Sequence, residues 1–97
     1  MRTIETRTVT EGKGGTRVRK DMYDLFRGAI LAVTPRTKKG VPFKDLARRV
    51  GERLKGHEFP AKGSVSWYTT TIKLDLEARG LIERVPGTTP QHLRRVR

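Results

Sequence analysis

An α+β fold that is mainly α, three helices followed by a β-hairpin with a basic arm or short strand ahead of them, is what this sequence predicts. Two apolar stripes at helical spacing, a third helical segment closed by Gly80, and turn-rich PGTTP between two β-prone runs lead to that prediction.

Residues 1–20, MRTIETRTVTEGKGGTRVRK, hold only four aliphatic side chains, Met1, Ile4, Val9 and Val18. Loose alternation at Ile4, Thr6 and Thr8 predicts a short strand, and GKGG a turn into a basic loop. Residues 21–97 form the expected domain. Asp21 is read as the N-cap of the first helix, with Asp24 three residues on to complement the helix dipole. Met22, Leu25, Phe26, Ala29, Ile30 and Val33 supply its apolar stripe, and Pro35 stops it because Thr34 is biased away from helical geometry. The charged loop RTKKG follows. FKDLARRVGERLK carries the second stripe at Phe43, Leu46, Ala47, Val50 and Leu54, opposite Lys44, Arg48, Glu52 and Lys55, and Gly56 suits the left-handed residue that ends it. HEFPAKGS is a connector. Ser64 or Ser66 caps the third helix, Gly80 ends it, and LIERV and QHLRRV are the two hairpin strands.

The chain has no cysteine, so disulfides and thiolate metal sites are excluded, which fits a reducing compartment. Its longest apolar run is Ala29 to Val33 and its N-terminus is polar, so neither a signal peptide nor a membrane span is expected and the location is read as cytoplasmic. His57 and His92 lack metal-ligand spacing, and GKGG lacks the spacing of a phosphate-binding loop. Asp75 is read as a structural ion-pair partner of Arg48, Arg49 or Arg79 rather than a general base. No cofactor is implied, and the chain is read as non-enzymatic.

Charge carries the functional argument. Lys and Arg number 22 against 10 Asp and Glu, a net +12 on 11.0 kDa, and a field of that size favours a polyanion. On a helical wheel of Ser66 to Arg79, Tyr68, Ile72 and Leu76 form one apolar row and Trp67, Thr71, Leu74 and Ala78 a second. Trp67 is accordingly placed in the core, with stacking on a base as its alternative. Ser66, Thr69, Thr70, Lys73 and Glu77 remain as a narrow wet strip. Short hydroxyl side chains let a helix backbone approach a major groove about 12 Å wide, and they can bond phosphates or base edges.

Helix, basic helix, slim helix and hairpin is the winged helix-turn-helix order, in which the third helix enters the major groove and the wing lies on the backbone or minor groove. LDLEARGLIER resembles the end of the recognition helix and start of the wing in that superfamily. More broadly, SVSWYTTTIKLDLEARGLIERVPGTTPQHLRR, MYDLFRGAILAVTP and TVTEGKGGTRV resemble a family of small uncharacterised bacterial winged-helix proteins of unknown function. That resemblance implies the fold. The family often has a basic residue where this chain has Thr70, which implies weaker base reading here.

The expected nucleic-acid-binding residues are therefore Ser66, Thr69, Thr70 and Lys73 on the helix, and Lys38, Lys39 and Lys44 before and within the second helix. On the wing they are Arg84, Thr88, Thr89, His92, Arg94, Arg95 and Arg97. Arg7, Lys13, Arg17, Arg19 and Lys20 form a further basic set that would suit a minor-groove arm. The expected partner is double-stranded DNA, for a small transcriptional regulator or nucleoid-associated protein that a homodimer would make more specific. RNA or ribosome binding, and a protein-interaction module, are the alternatives.

Overall fold

A computed structural model describes residues 2–8, 15–57 and 64–96. The chain begins with a strand pair where one strand and a loop were expected. β1 (Thr3–Glu5) runs antiparallel to β2 (Arg17–Arg19), with Ile4 opposite Val18. The Thr6 hydroxyl extends the ladder, donating to the Thr16 carbonyl and accepting from its amide, both at 2.9 Å. Because Val18 is buried, this segment belongs to the core rather than trailing from it. Lys13 and all of GKGG but Gly15 lie outside the described residues.

α1 (Lys20–Val33) starts directly from β2. Asp21 is therefore not the N-cap. Arg19 holds that position in an extended conformation, which its pairing with Thr3 requires, and Asp21 falls in the first turn where its carboxylate takes the Arg19 guanidinium at 2.7 Å. Met22, Tyr23, Phe26, Ala29 and Ile30 face inward. At the far end Thr34 is extended ahead of Pro35, and its hydroxyl donates to the Ile30 carbonyl at 2.6 Å.

A two-residue strand, β3 (Val41–Pro42), precedes α2 (Phe43–Arg53) and was not foreseen. α3 (Val65–Ala78) follows, then β4 (Ile82–Arg84) and β5 (His92–Arg95). β5 is the centre of a three-stranded antiparallel sheet ordered β3-β5-β4, in which Val41 and Arg84 both align with Leu93. The element order thus differs from three helices and a hairpin by the strand between α1 and α2 and by the N-terminal pair. Gly56 and Gly80 have φ of 90° and 77°, which ends α2 and α3 as expected.

The three helices and the sheet share one core. Phe26, Ile30, Leu46, Val50, Ile72, Leu76 and Leu93 are all fully buried. Gly40 lets β3 enter it: at φ +65° a Cβ would stand 2.4 Å from the Leu93 carbonyl oxygen. Gly40→Ala is expected to cost about 2 to 3 kcal/mol from left-handed strain and the displaced strand pairing. A shift in the urea midpoint at unchanged slope measures that loss.

Candidate nucleic-acid interface

Ser64 caps α3, its hydroxyl accepting from the Trp67 amide at 3.0 Å. Tyr68, Ile72 and Leu76 are buried, as the first apolar row requires. The expected strip, however, splits. Ser66 and Thr70 are exposed, but Thr69 is 0% and Lys73 6% exposed. Thr69 tolerates burial because its hydroxyl donates to the Val65 carbonyl at 2.7 Å.

Lys73 tolerates it because its ammonium donates to Gln91 Oε1 at 3.0 Å, lies 3.3 Å from the Glu77 carboxylate and sits over the Phe43 ring. Burial lowers the Lys73 pKa, and the Glu77 charge opposes that shift. Glu77 also holds Arg84, Nε to Oε1 at 2.8 Å, which raises the Arg84 pKa. These contacts lock α3 to the hairpin. Thr69 and Lys73 therefore present no polar group to a groove.

The wet face lies instead on the second row. Trp67 is 44% exposed, contrary to its expected core position, and Thr71, Leu74 and Ala78 are half-buried. Relative to the expected strip the outward face is turned by roughly 80°, at about 100° per residue. Its centre is Trp67, Thr70 and Leu74, with Ser66 at the edge shared with the expected strip. The Trp67 ring meets Tyr68 edge-on, centroids 5.0 Å apart, and Tyr68 stacks on Phe26 at 5.1 Å.

On one side this face borders the N-terminal strand pair. Asp75, 0% exposed, accepts from the Arg7 amide at 2.8 Å, from the Tyr23 hydroxyl and from Arg79 Nε at 2.9 Å. Burial, and next the Asp75 hydrogen bond, push the Tyr23 phenol up from 10.0 to about 12, so it remains a donor. The pairing of Asp75 with Arg79 is one of those expected. A cleft of about 160 Å³ separates Thr6, Arg7 and Thr16 from Thr71 and Leu74. The exposed Arg7 stands at its edge.

On the other side lie the α1–β3 loop, the start of α2 and the hairpin. His92 Nδ1 is 2.9 Å from the Lys39 carbonyl, Arg94 donates to the Lys38 carbonyl at 3.0 Å, and the Phe43 amide donates to the Gln91 carbonyl at 3.1 Å. Lys38, Lys39 and Lys44 are thereby gathered against β5, exposed and without an acidic partner among the described residues.

The hairpin's own groups are more occupied. Arg94 also reaches Glu83 at 3.3 Å, and Thr88 accepts from the His92 amide at 3.0 Å while donating to the Val85 carbonyl at 2.8 Å. Thr88 thus braces the tip, and Thr89 beside it is exposed. Arg95 is half-buried and its amide donates to the Pro35 carbonyl at 2.8 Å. Arg97 lies outside the described residues. Of the N-terminal cations, Arg19 and Lys20 are taken up by Asp21 and Asp24.

Residues 3–93 match DUF6958, a family of unknown function. The chain belongs to the DUF6958 family. A search of curated proteins finds no match, and a search of solved structures finds none. In this DUF6958 chain the matched span contains α3, Arg7 and the lysine group, and stops short of Arg94 and Arg95.

Two members of the outward face of α3, Trp67 and Leu74, escaped sequence reasoning. Their apolarity argued for the core, while the charge of Lys73 assigned the water-facing strip to the opposite row. No helix of the DUF6958 structure is long and apolar enough to cross a membrane among the described residues.

Proposed function

We propose that this protein binds double-stranded DNA as a winged helix-turn-helix domain. In that role α3 lies in the major groove, the hairpin serves as the wing, and the chain acts as a small transcriptional regulator or nucleoid-associated protein without catalysing a reaction. The order from α1 onward, helix, strand, helix, helix and hairpin with β3 beside β5, supports that reading of the fold.

The observation that carries the function is electrostatic. The outward face of α3 has no acid, and it lies between Arg7 on one side and Lys38, Lys39 and Lys44 on the other. Three of the nearby acids are ion-paired, Asp75 with Arg79, Glu77 with Lys73 and Arg84, and Glu83 with Arg94. A surface whose α3 face lacks acids and is bordered by these cations attracts phosphate.

Fluorescence anisotropy with labelled duplex DNA tests the proposal. With about six phosphates neutralised, log K should fall with log salt at a slope near −5. Absence of binding at ~50 mM salt would remove it. Competition with duplex RNA and single strands shows whether DNA is the preferred polyanion, and sizing of the complex shows whether two copies bind.

A further inference from the structure

We propose that Trp67, together with the Thr70 methyl group, reads thymine in the major groove, so that the preferred duplex is rich in T·A pairs. The inference rests on the DNA-binding reading above and adds to it a determinant of specificity.

The chemistry of the α3 face leads there. Guanine is read by Arg or Lys, adenine by Asn or Gln, and cytosine by Asp or Glu, each through polar groups matched to the base edge. Ser66, Trp67, Thr70, Thr71, Leu74 and Ala78 include none of these. The one side chain of the predicted strip that could have bonded guanine, Lys73, is buried on Gln91 and Glu77. What the face offers is an indole, methyl groups and hydroxyls, and the base feature that an apolar group distinguishes in the major groove is the thymine C5-methyl.

The placement suits that contact. Trp67 is the longest side chain on the outward face, flanked by the short Ser66 and, one turn on, Thr70, so a groove edge meets the indole first. Its ring rests edge-on against buried Tyr68, itself stacked on Phe26, which limits the side-chain freedom lost on binding. Charge favours DNA as the occupant over an apolar protein surface, since the face is bordered by cations that have no acidic partner among the described residues.

Trp67 is the protein's single tryptophan, so its emission reports this site alone. The full chain is titrated with a 20-base-pair A·T-rich duplex, the same duplex with uracil replacing thymine, a G·C duplex, and the thymine-containing strand alone. Uracil removes only the methyl groups. The thymine duplex is expected to shift the emission, and the uracil duplex to bind about fourfold more weakly for each methyl contacted. Trp67→Ala, and the milder Trp67→Phe, should narrow the thymine-to-uracil ratio while leaving the salt slope intact.

Equal affinity for thymine and uracil duplexes overturns the inference while leaving duplex binding standing. Stronger binding and quenching by the single strand assigns Trp67 to stacking on an unpaired base and also overturns it. An emission shift with protein concentration alone assigns the face to a second copy, with the same effect. Failure to bind any probe removes the DNA-binding reading itself, and the inference with it.

Discussion

Asp75→Ala is expected to lower the thermal midpoint by roughly 12 to 24 °C, the consequence of losing about 3 kcal/mol in a domain of this size. The carboxylate is fully buried and holds donors from three places: the amide of Arg7 after β1, the Tyr23 hydroxyl on α1 and Arg79 at the end of α3. Arg79 can turn to water, because its side chain is 27% exposed, so its lost ion pair counts for little. The Tyr23 phenol and the Arg7 amide cannot be compensated so readily, at about 1 to 3 kcal/mol for each unpaired buried group. Asp75→Asn keeps the shape but replaces an acceptor by a donor, and about 1 to 1.5 kcal/mol should go.

Calorimetry measures both losses, and hydrogen exchange at Thr6 and Thr16 should quicken because the strand pair loses its anchor. The same contact gives an alkaline signature. Since the folded phenol titrates near 12 and the unfolded one near 10.0, stability is full below about pH 10 and falls as pH rises toward 12. A midpoint lowered by less than about 4 °C in Asp75→Ala would show that the cluster does not anchor the N-terminus.

The second large effect concerns affinity. Replacing Lys38, Lys39 and Lys44 together by alanine is expected to weaken duplex binding about 500-fold at 0.1 M salt, with the salt slope reduced by about 2.7. Three phosphate contacts at about 0.9 each give both figures. The exposed side chains make folding losses small, so circular dichroism should be unchanged. Lys73→Gln is the contrasting variant. Its ammonium is already held by Gln91 and Glu77, so the slope should stay where it was. A triple variant whose slope changes by less than one would place the phosphate contacts elsewhere.

Much of the fold was legible. The stripes of Met22 to Val33 and Phe43 to Leu54 located α1 and α2, and Ser64, Gly56 and Gly80 marked helix ends through capping and backbone geometry. β2 and β3 were not. Arg17, Val18 and Arg19 alternate for only three residues within a basic run, and Val41–Pro42 is too brief to have a period.

The rotation of α3 failed for a different reason. Hydrophobicity sent Trp67 inward and Lys73 outward, whereas the structure exposes Trp67 and buries Lys73. Gln91, Phe43 and Glu77 receive Lys73, and Arg7 and Tyr23 receive Asp75. Apart from the Lys73–Glu77 pair, one helical turn apart, no periodicity contains those pairings. Among the expected binding residues, the exposure of Lys38, Lys39 and Lys44 was legible because solvated cations need no partner, while the hydrogen bonds of the Thr88 hydroxyl within the hairpin were not.

The chain of contacts from Gln91 through Lys73 and Glu77 to Arg84 joins α3 and the hairpin into a single rigid template. Neither part can then adjust its reach independently of the other. Under the proposed DNA-binding role, a duplex that engages both must supply the distortion itself, so base steps that kink or narrow easily would be favoured even where no side chain touches them.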